Sequence, residues 1–189
     1  GADRFVNFYY NGTDIYNDVS VNYCVHEMFA EKQADTLVIR FNDTKGIWSK
    51  WQPAAGDTVR FKEGASDTGK MFIHSMKPEN GLFTIRAMSM PKTAKIRKSK
   101  SWEGVRFLQL ANEFAGNHGL TFKNYGCEDQ VYPYIKQDNE GDFSLFSRLC
   151  MLEGCQMLIF DGSLLAYNEH YIEQQEPAGG LTVDANGAF

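Results

Sequence analysis

The sequence predicts an α+β protein: a small antiparallel β-barrel or sandwich over residues 3–91, then a small α/β domain with two amphipathic helices over residues 92–173. Three observations carry this. Short segments rich in β-branched and aromatic residues alternate with turn residues as far as Pro91. A run of cations then interrupts the pattern. From Ser101 onward, apolar residues recur at helical spacing, and each such stretch is followed by glycine and an extended apolar run. Residues 174–189, with Pro177, Gly179, Gly180 and Gly187 around Leu181-Thr182-Val183, are too short for another domain and read as a tail or as the start of a truncated one.

The bounds agree with this. At 189 residues, 43% hydrophobic and 23% charged, the chain can bury one core or two small ones. A formal net charge of −5 gives no general attraction to nucleic acid or anionic lipid, although local patches can still act. No apolar run is long enough for a membrane helix, so no membrane partner is expected.

Six strands are expected in the first domain: Arg4–Tyr10, Val19–Glu27, Thr36–Asn42, Asp57–Lys62, Lys70–Met76 and Leu82–Met90. Asn11-Gly12, Gly56-Asp57, Gly64 to Asp67 and Pro78-Glu79-Asn80-Gly81 supply the turns, the last being a hairpin signal. Alternation in Asp57–Lys62 and Phe83–Ala87 predicts one buried and one solvated face. Residues 44–55 break the pattern and are expected to form a loop or short helical turn across one end. Trp48 and Trp51 there form a core or interface plug; a paired stack for a sugar or base is the alternative.

The connector after Pro91 carries Lys92, Lys95, Arg97, Lys98 and Lys100. Without interleaved aromatics it reads as a solvated linker or a charge-guarded edge strand; a contact surface for phosphate or an acidic partner is the alternative. Ser101 is expected to cap the first helix, on which Phe107, Leu108, Leu110, Ala111, Phe114 and Ala115 share a face, ending at Asn117-His118-Gly119 before a strand at Leu120–Lys123. Gly126–Pro133 reads as a loop and Tyr134–Gln137 as a short extended lead into the second helix.

That second helix lies in Gln137–Phe160. Asn139 or Asp138 is expected to cap it, with Glu140 and Asp142 placing negative charge in its first turn. Leu145, Phe146, Leu149, Cys150 and Leu152 form its apolar face, opposite Ser144, Ser147 and Arg148. Gly154 is a left-handed stop, Cys155–Phe160 a buried strand, and Asp161-Gly162-Ser163 a turn into a return strand at Leu164–Tyr167. Helix, glycine and strand thus occur twice. We read this as two ordinary helix–strand units rather than a duplication.

Catalytic patterns are weak. Cys24, Cys127, Cys150 and Cys155 lack metal spacing and are expected to be reduced, small and buried. His26, His74, His118 and His170 sit in no nucleophile or metal motif. Asp138–Asp142 imitates the start of a calcium loop, but Phe143 and Leu149 occupy the places that require glycine and glutamate. Glu27 with Glu31, or Glu128 with Asp129, are carboxylate pairs of the kind a glycoside hydrolase uses, yet adjacency in sequence does not fix their separation. No cofactor is implied.

Gln137, Asn139, Glu140, Asp142, Phe146, Arg148, Leu149 and Gly154, followed by the apolar strand, turn and return strand, resemble a pattern of phage tail baseplate hub proteins. This is the late control protein D family, related to VgrG of type VI secretion. The basic connector, Trp102-x-Gly104 and the helix ending at His118-Gly119-Leu120 resemble that family's entry into its α/β domain, so the likeness covers residues 92–167. Gly141 stands where the family usually has Ser, and Ser147 where it usually has Leu.

The resemblance implies a structural, non-enzymatic role: a hub joining tail tube to central spike, a homotrimer in full-length form, in the virion tail after assembly in the bacterial cytoplasm. Nucleic acid would be met only as DNA passing along the tail channel. Lys95, Arg97, Lys98, Lys100, Trp48 and Trp51 are the candidate interface residues. The competing functions are a tail-associated cell-wall hydrolase and a glycan-binding module.

Overall fold

The computed structural model describes residues 5–28, 34–168 and His170. Within it the chain divides into two compact units, Gly1–Lys92 and Thr93–Phe189. Sheets dominate both, and the α+β class holds.

The first unit is one antiparallel sheet of β1 (Val6–Tyr10), β2 (Thr13–Asp14), β3 (Ser20–Glu27), β4 (Thr36–Asn42), β5 (Thr58–Glu63), β6 (Ser66–Asp67), β7 (Met71–Glu79) and β8 (Leu82–Met88). The strand order is β2-β1-β5-β7-β8-β4-β3, with β6 on β5. Among the described residues no pairing joins the two ends, so the sheet is open rather than a closed barrel. Asn80 and Gly81 turn β7 into β8 with φ of 50° and 77°, the left-handed pair that suits the twist of a two-residue hairpin. The expected alternation is present: Phe83, Ile85 and Ala87 are buried while Arg86 is exposed. They join Phe8, Leu37, Ile39, Phe41, Val59, Met71 and Ile73 in one core. Residues 44–55 contain α1 (Ile47–Trp51), whose first amides donate to Asp43 Oδ1 at 2.8 and 3.4 Å. This turn delivers Trp48 into the core at 2% exposure.

The second unit contains β9 (Lys98–Arg106), α2 (Phe107–Asn117), β10 (Thr121–Tyr125), β11 (Val131–Glu140), α3 (Asp142–Leu152), β12 (Cys155–Phe160) and β13 (Ser163–Asn168). β9 and β11 pair antiparallel as a two-stranded ribbon; β10, β13 and β12 form a second sheet in which β10 runs parallel to β13. The two helices bury Phe107, Leu110, Phe114, Phe143, Leu145, Phe146 and Leu149.

Several sequence expectations change here. Ser101 is not a helix cap: it lies in β9 opposite Lys136, and α2 starts six residues later. The cap comes from a distance, because Asp129 Oδ1 accepts from Leu108 N at 2.9 Å and Gln130 O from Phe107 N at 2.9 Å. Part of the expected loop Gly126–Pro133, together with Tyr134–Gln137, belongs to β11, which continues through Asn139 and Glu140. Neither Asn139 nor Asp138 therefore caps α3. Gly141 does, and Glu140 precedes the helix while Asp142 opens it. Leu152 is 71% exposed, because the helix turns it away from the covered face, and Phe143 takes an inward position instead.

The cysteines also divide. Cys127 and Cys155 form a disulfide across 28 residues of sequence, with Cα atoms 6.4 Å apart, so the expectation of four reduced thiols fails for this pair. The loop after β10 and the first residue of β12 meet because β13 pairs with both strands, Tyr167 lying opposite Tyr125 and Gln156, which no local spacing reveals. Cys24 and Cys150 are free. Burial pushes the Cys24 thiol up to about 11 and that of Cys150 to about 12, with Glu63 and Glu153 respectively adding to the shift. Both behave as inert packing groups.

Candidate functional site

The residues of the Gln137–Phe160 motif converge on one buried carboxylate, Asp142, which is 1% exposed. Its Oδ2 accepts from His118 Nε2 at 2.9 Å, Asn117 Nδ2 at 3.1 Å and Lys98 Nζ at 3.1 Å; its Oδ1 accepts from Gln137 Nε2 at 2.8 Å. The donors arrive from the end of α2, from β9 and from β11, so this one side chain ties the ribbon to both helices. Burial alone would raise its carboxyl pKa. The four donors outweigh burial and hold it well below the ordinary carboxylate value of 3.8.

Around Asp142 each motif residue has a mechanical task. Gln137 is fully buried and its amide also donates to Glu140 O at 3.0 Å, holding the bend where the ribbon register shifts between Gln137 and Glu140. Asn139 takes that bend in the left-handed region at φ 47°, and its backbone N–H donates to Ser99 Oγ at 3.0 Å. Glu140 receives both arms of Arg148 at 2.7 and 2.9 Å, which lowers the Glu140 carboxyl pKa and raises that of the guanidinium. Phe146 is fully buried among Phe107, Phe114 and Phe122, with ring centroids 5.2, 6.2 and 6.1 Å away. Leu149 is buried, and Gly154 stops the helix at φ 68°.

The departure at Gly141 has a local cause. A Cβ there would stand 2.7 Å from Ala94 O, a contact that backbone cannot relieve without shifting. The turn at Lys92–Lys95 packs directly on this glycine, and its Thr93 Oγ1 meets His118 Nδ1 at 2.7 Å. A serine at position 141 would not fit this approach. Ser147, the other departure, is half-buried.

Thr93, His118 and Asp142 form a hydroxyl–imidazole–carboxylate line, the order of a nucleophile, base and orienting acid. Its chemistry favours structure: His118 is buried, and Asp142 is already held by three further donors. Among the described residues, no group of three or more His, Cys, Asp or Glu side chains is placed to hold a metal ion.

Of the candidate interface residues, Trp48 and Trp51 belong to the first unit and Lys95, Arg97, Lys98 and Lys100 to the second. Lys98 is spent on Asp142, and Lys100 reaches Glu113 at 3.3 Å while lying 5.0 Å above the Trp102 ring. Lys95 and Arg97 are exposed. Trp48 stacks on Phe83 at 5.1 Å and packs against Phe41 and Phe8, as a core plug does. Trp51 is 44% exposed and meets Trp48 edge-on at 79°, so the two rings do not make one flat platform for a sugar. A concavity of about 320 Å³ beside Trp48 is lined by Asn17, Asp18, Asp43 and Lys45 among others, and Trp51 is not part of its wall.

The carboxylate pairs fare no better as acid–base partners. Glu27 ends edge strand β3 and Glu31 lies outside the described residues. Glu128 is exposed, and Asp129 is committed to the α2 cap and to Arg106 at 3.7 Å. His26 meets Asp35 at 2.8 Å and His74 meets Met90 O at 2.7 Å. His170 Nα donates to Asn168 Oδ1 at 2.8 Å. The tail expected from residue 174 onward also lies outside the described residues.

An open antiparallel sheet followed by this strand–helix–strand unit is a fold shared with solved phage-tail proteins. The 43 kDa tail protein of prophage MuSo2 from Shewanella oneidensis matches over 87% of this chain and 54% of its own, with TM-score 0.64 and 12% identity. A tail protein from Neisseria meningitidis MC58 matches over 86% of this chain and 50% of its own, with TM-score 0.60 and 11% identity. A chain of the Francisella PdpA-VgrG complex matches over 87% of this chain and 31% of its own, with TM-score 0.50 and 12% identity. The chain therefore spans about half the length of the two tail proteins and less of the third. At such identities the likeness is one of fold. No protein-family model matches the sequence, and no curated protein sequence does.

Proposed function

We propose that this chain is a structural part of a phage or phage-like tail, in the baseplate hub that joins the tail tube to the central spike, and performs no chemistry of its own. The observation that carries this reading is the shared fold with a prophage tail protein over 87% of the chain. The motif residues support it, since Gln137, Glu140, Asp142 and Arg148 are occupied with one another and with neighbouring strands rather than facing a cleft. In this reading the longer parent protein is a homotrimer that contacts tube and spike proteins, works in the virion tail and is assembled in the bacterial cytoplasm. DNA meets it only in transit.

The test is made on particles. Tails purified from the producing strain should contain the protein in a fixed ratio to the tube subunit, and deleting its gene should leave tubes without a finished tip. Normal, infectious tails from the deletion strain would refute the proposal. Turnover of purified cell wall that disappears when one carboxylate is changed would replace it with the hydrolase alternative.

A further inference from the structure

We propose that Cys127 and Cys155 are a lock that closes after assembly. They are a dithiol while the chain folds and is built into tails in the reducing cytoplasm, and a low-molecular-weight disulfide oxidises them once the particle has left the cell. This rests on the tail reading, because that reading is what carries the protein from one compartment to the other.

Both sulfurs are placed by contacts that do not need the bond. Asn124 clamps the Cys127 backbone twice, its Nδ2 donating to Cys127 O at 2.9 Å and its Oδ1 accepting from Cys127 N at 3.0 Å. The same loop is fastened further on, where Asp129 Oδ1 accepts from Leu108 N and Gln130 O from Phe107 N at the start of α2. Cys155 opens β12 opposite Asn168 of β13, directly after the left-handed Gly154. β13 also sets Ala166 opposite Asn124, so one strand positions both partners. The Cα atoms stand 6.4 Å apart, within the range that a disulfide spans without backbone movement. A pair held in this way closes from the folded state, with little chain entropy left to lose.

Access orders the chemistry. Cys127 is 7% exposed and Cys155 2%, so the Cys127 thiolate meets the oxidant first. It attacks one sulfur of the oxidant, which forms a mixed disulfide and releases the other sulfur as a thiolate. The Cys155 thiolate then displaces the second one. Two electrons pass to the oxidant, and the two thiol protons end on water or on the released thiolates. Cys24 and Cys150 do not compete, because burial pushes their thiols up to about 11 and about 12 and keeps them protonated. The closed bond staples the loop that caps α2 to the strand that follows α3.

Two arms test the lock. In the first, the reduced 189-residue chain, its fold checked by circular dichroism, is equilibrated in mixtures of reduced and oxidised glutathione, and free thiols are alkylated and counted by mass spectrometry. The folded chain should close Cys127–Cys155 at about a hundredfold less oxidant than the chain in urea, and a folded Asn124→Ala variant should lose about tenfold of that preference. A reduced chain that does not fold, or equal closure in buffer and in urea, overturns the proposal, and neither outcome depends on the variant. In the second arm, thiols are acid-trapped and alkylated in producing cells and in released particles. All four cysteines should be free in the cells, with Cys127 and Cys155 linked in the particles. A bond already closed in the cells, or a pair still open in the particles, overturns the lock and leaves the tail reading standing. Particles that lack the protein refute the tail reading and the lock with it.

Discussion

The two units of this chain order their small cores with different emphasis, although each buries a carboxylate, Asp35 in the first and Asp142 in the second. The N-terminal sheet plugs its interior with aromatic surface: Trp48 sits against Phe8, Phe41 and Phe83 in the apolar core. The C-terminal unit also has an aromatic cluster at Phe146, but it places a buried charge beside it, with four donors from three segments meeting Asp142. An apolar plug tolerates small shifts at modest cost. A buried carboxylate does not, because every lost donor leaves charge in a low-dielectric site. The first design supplies cohesion; the second fixes one arrangement of ribbon and helices.

The strongest way to break this comparison is at Asp142. Asp142→Ala should cost about 3–5 kcal/mol in urea denaturation, because it leaves Lys98, His118, Asn117 and Gln137 facing an empty site. Trp48→Ala and Phe146→Ala should each cost about 3–5 kcal/mol through cavity formation. The two mechanisms separate on pH. The folded-state pKa of Asp142 is depressed, so its contribution is fully present above the ordinary value of 3.8 and is lost as pH falls below that value. The gap between wild type and Asp142→Asn should therefore close on acidification, whereas the gap for Trp48→Ala should not follow that titration. Equal pH behaviour of the two gaps would contradict the assignment.

Smaller effects sharpen the contrast. Reducing the Cys127–Cys155 disulfide, which closes a 28-residue stretch, should lower stability by roughly 3 kcal/mol on chain-entropy grounds, read as a drop in melting temperature with reductant. Gly141→Ala should cost about 1–3 kcal/mol, since its methyl would press on Ala94 O; an unchanged melting temperature would mean that the turn at Lys92–Lys95 yields freely. Glu140→Ala should cost only about 0.2–1 kcal/mol, because Arg148 is 54% exposed and water replaces its partner.

Local pattern settled a good deal. Alternation at Phe83–Ala87, the Asn80-Gly81 turn, the buried face from Leu145 to Cys150, the stop at Gly154 and the β12–β13 return were all readable, because each depends on residues within one or two turns of each other. The motif letters around Gln137 were readable as a set, and their likeness to hub proteins led to the fold that the solved tail structures share. Their individual tasks were not. Asp142 looked like helix-start charge, and nothing nearby in sequence announces Lys98 or His118 as its partners.

Tertiary structure decided the rest for one physical reason: the deciding contacts join segments far apart along the chain. Ser101 is strand rather than cap because β11 pairs with β9, and α2 begins at Phe107 because Asp129, 21 residues from Leu108, supplies the cap. Leu152 faces solvent because α3 has no neighbour on that side among the described residues, although its spacing fits the apolar stripe. The disulfide and the polar cluster around Asp142 are likewise products of register and docking. Composition and periodicity set the elements and their order; the backbone's long-range pairings chose which side chains meet.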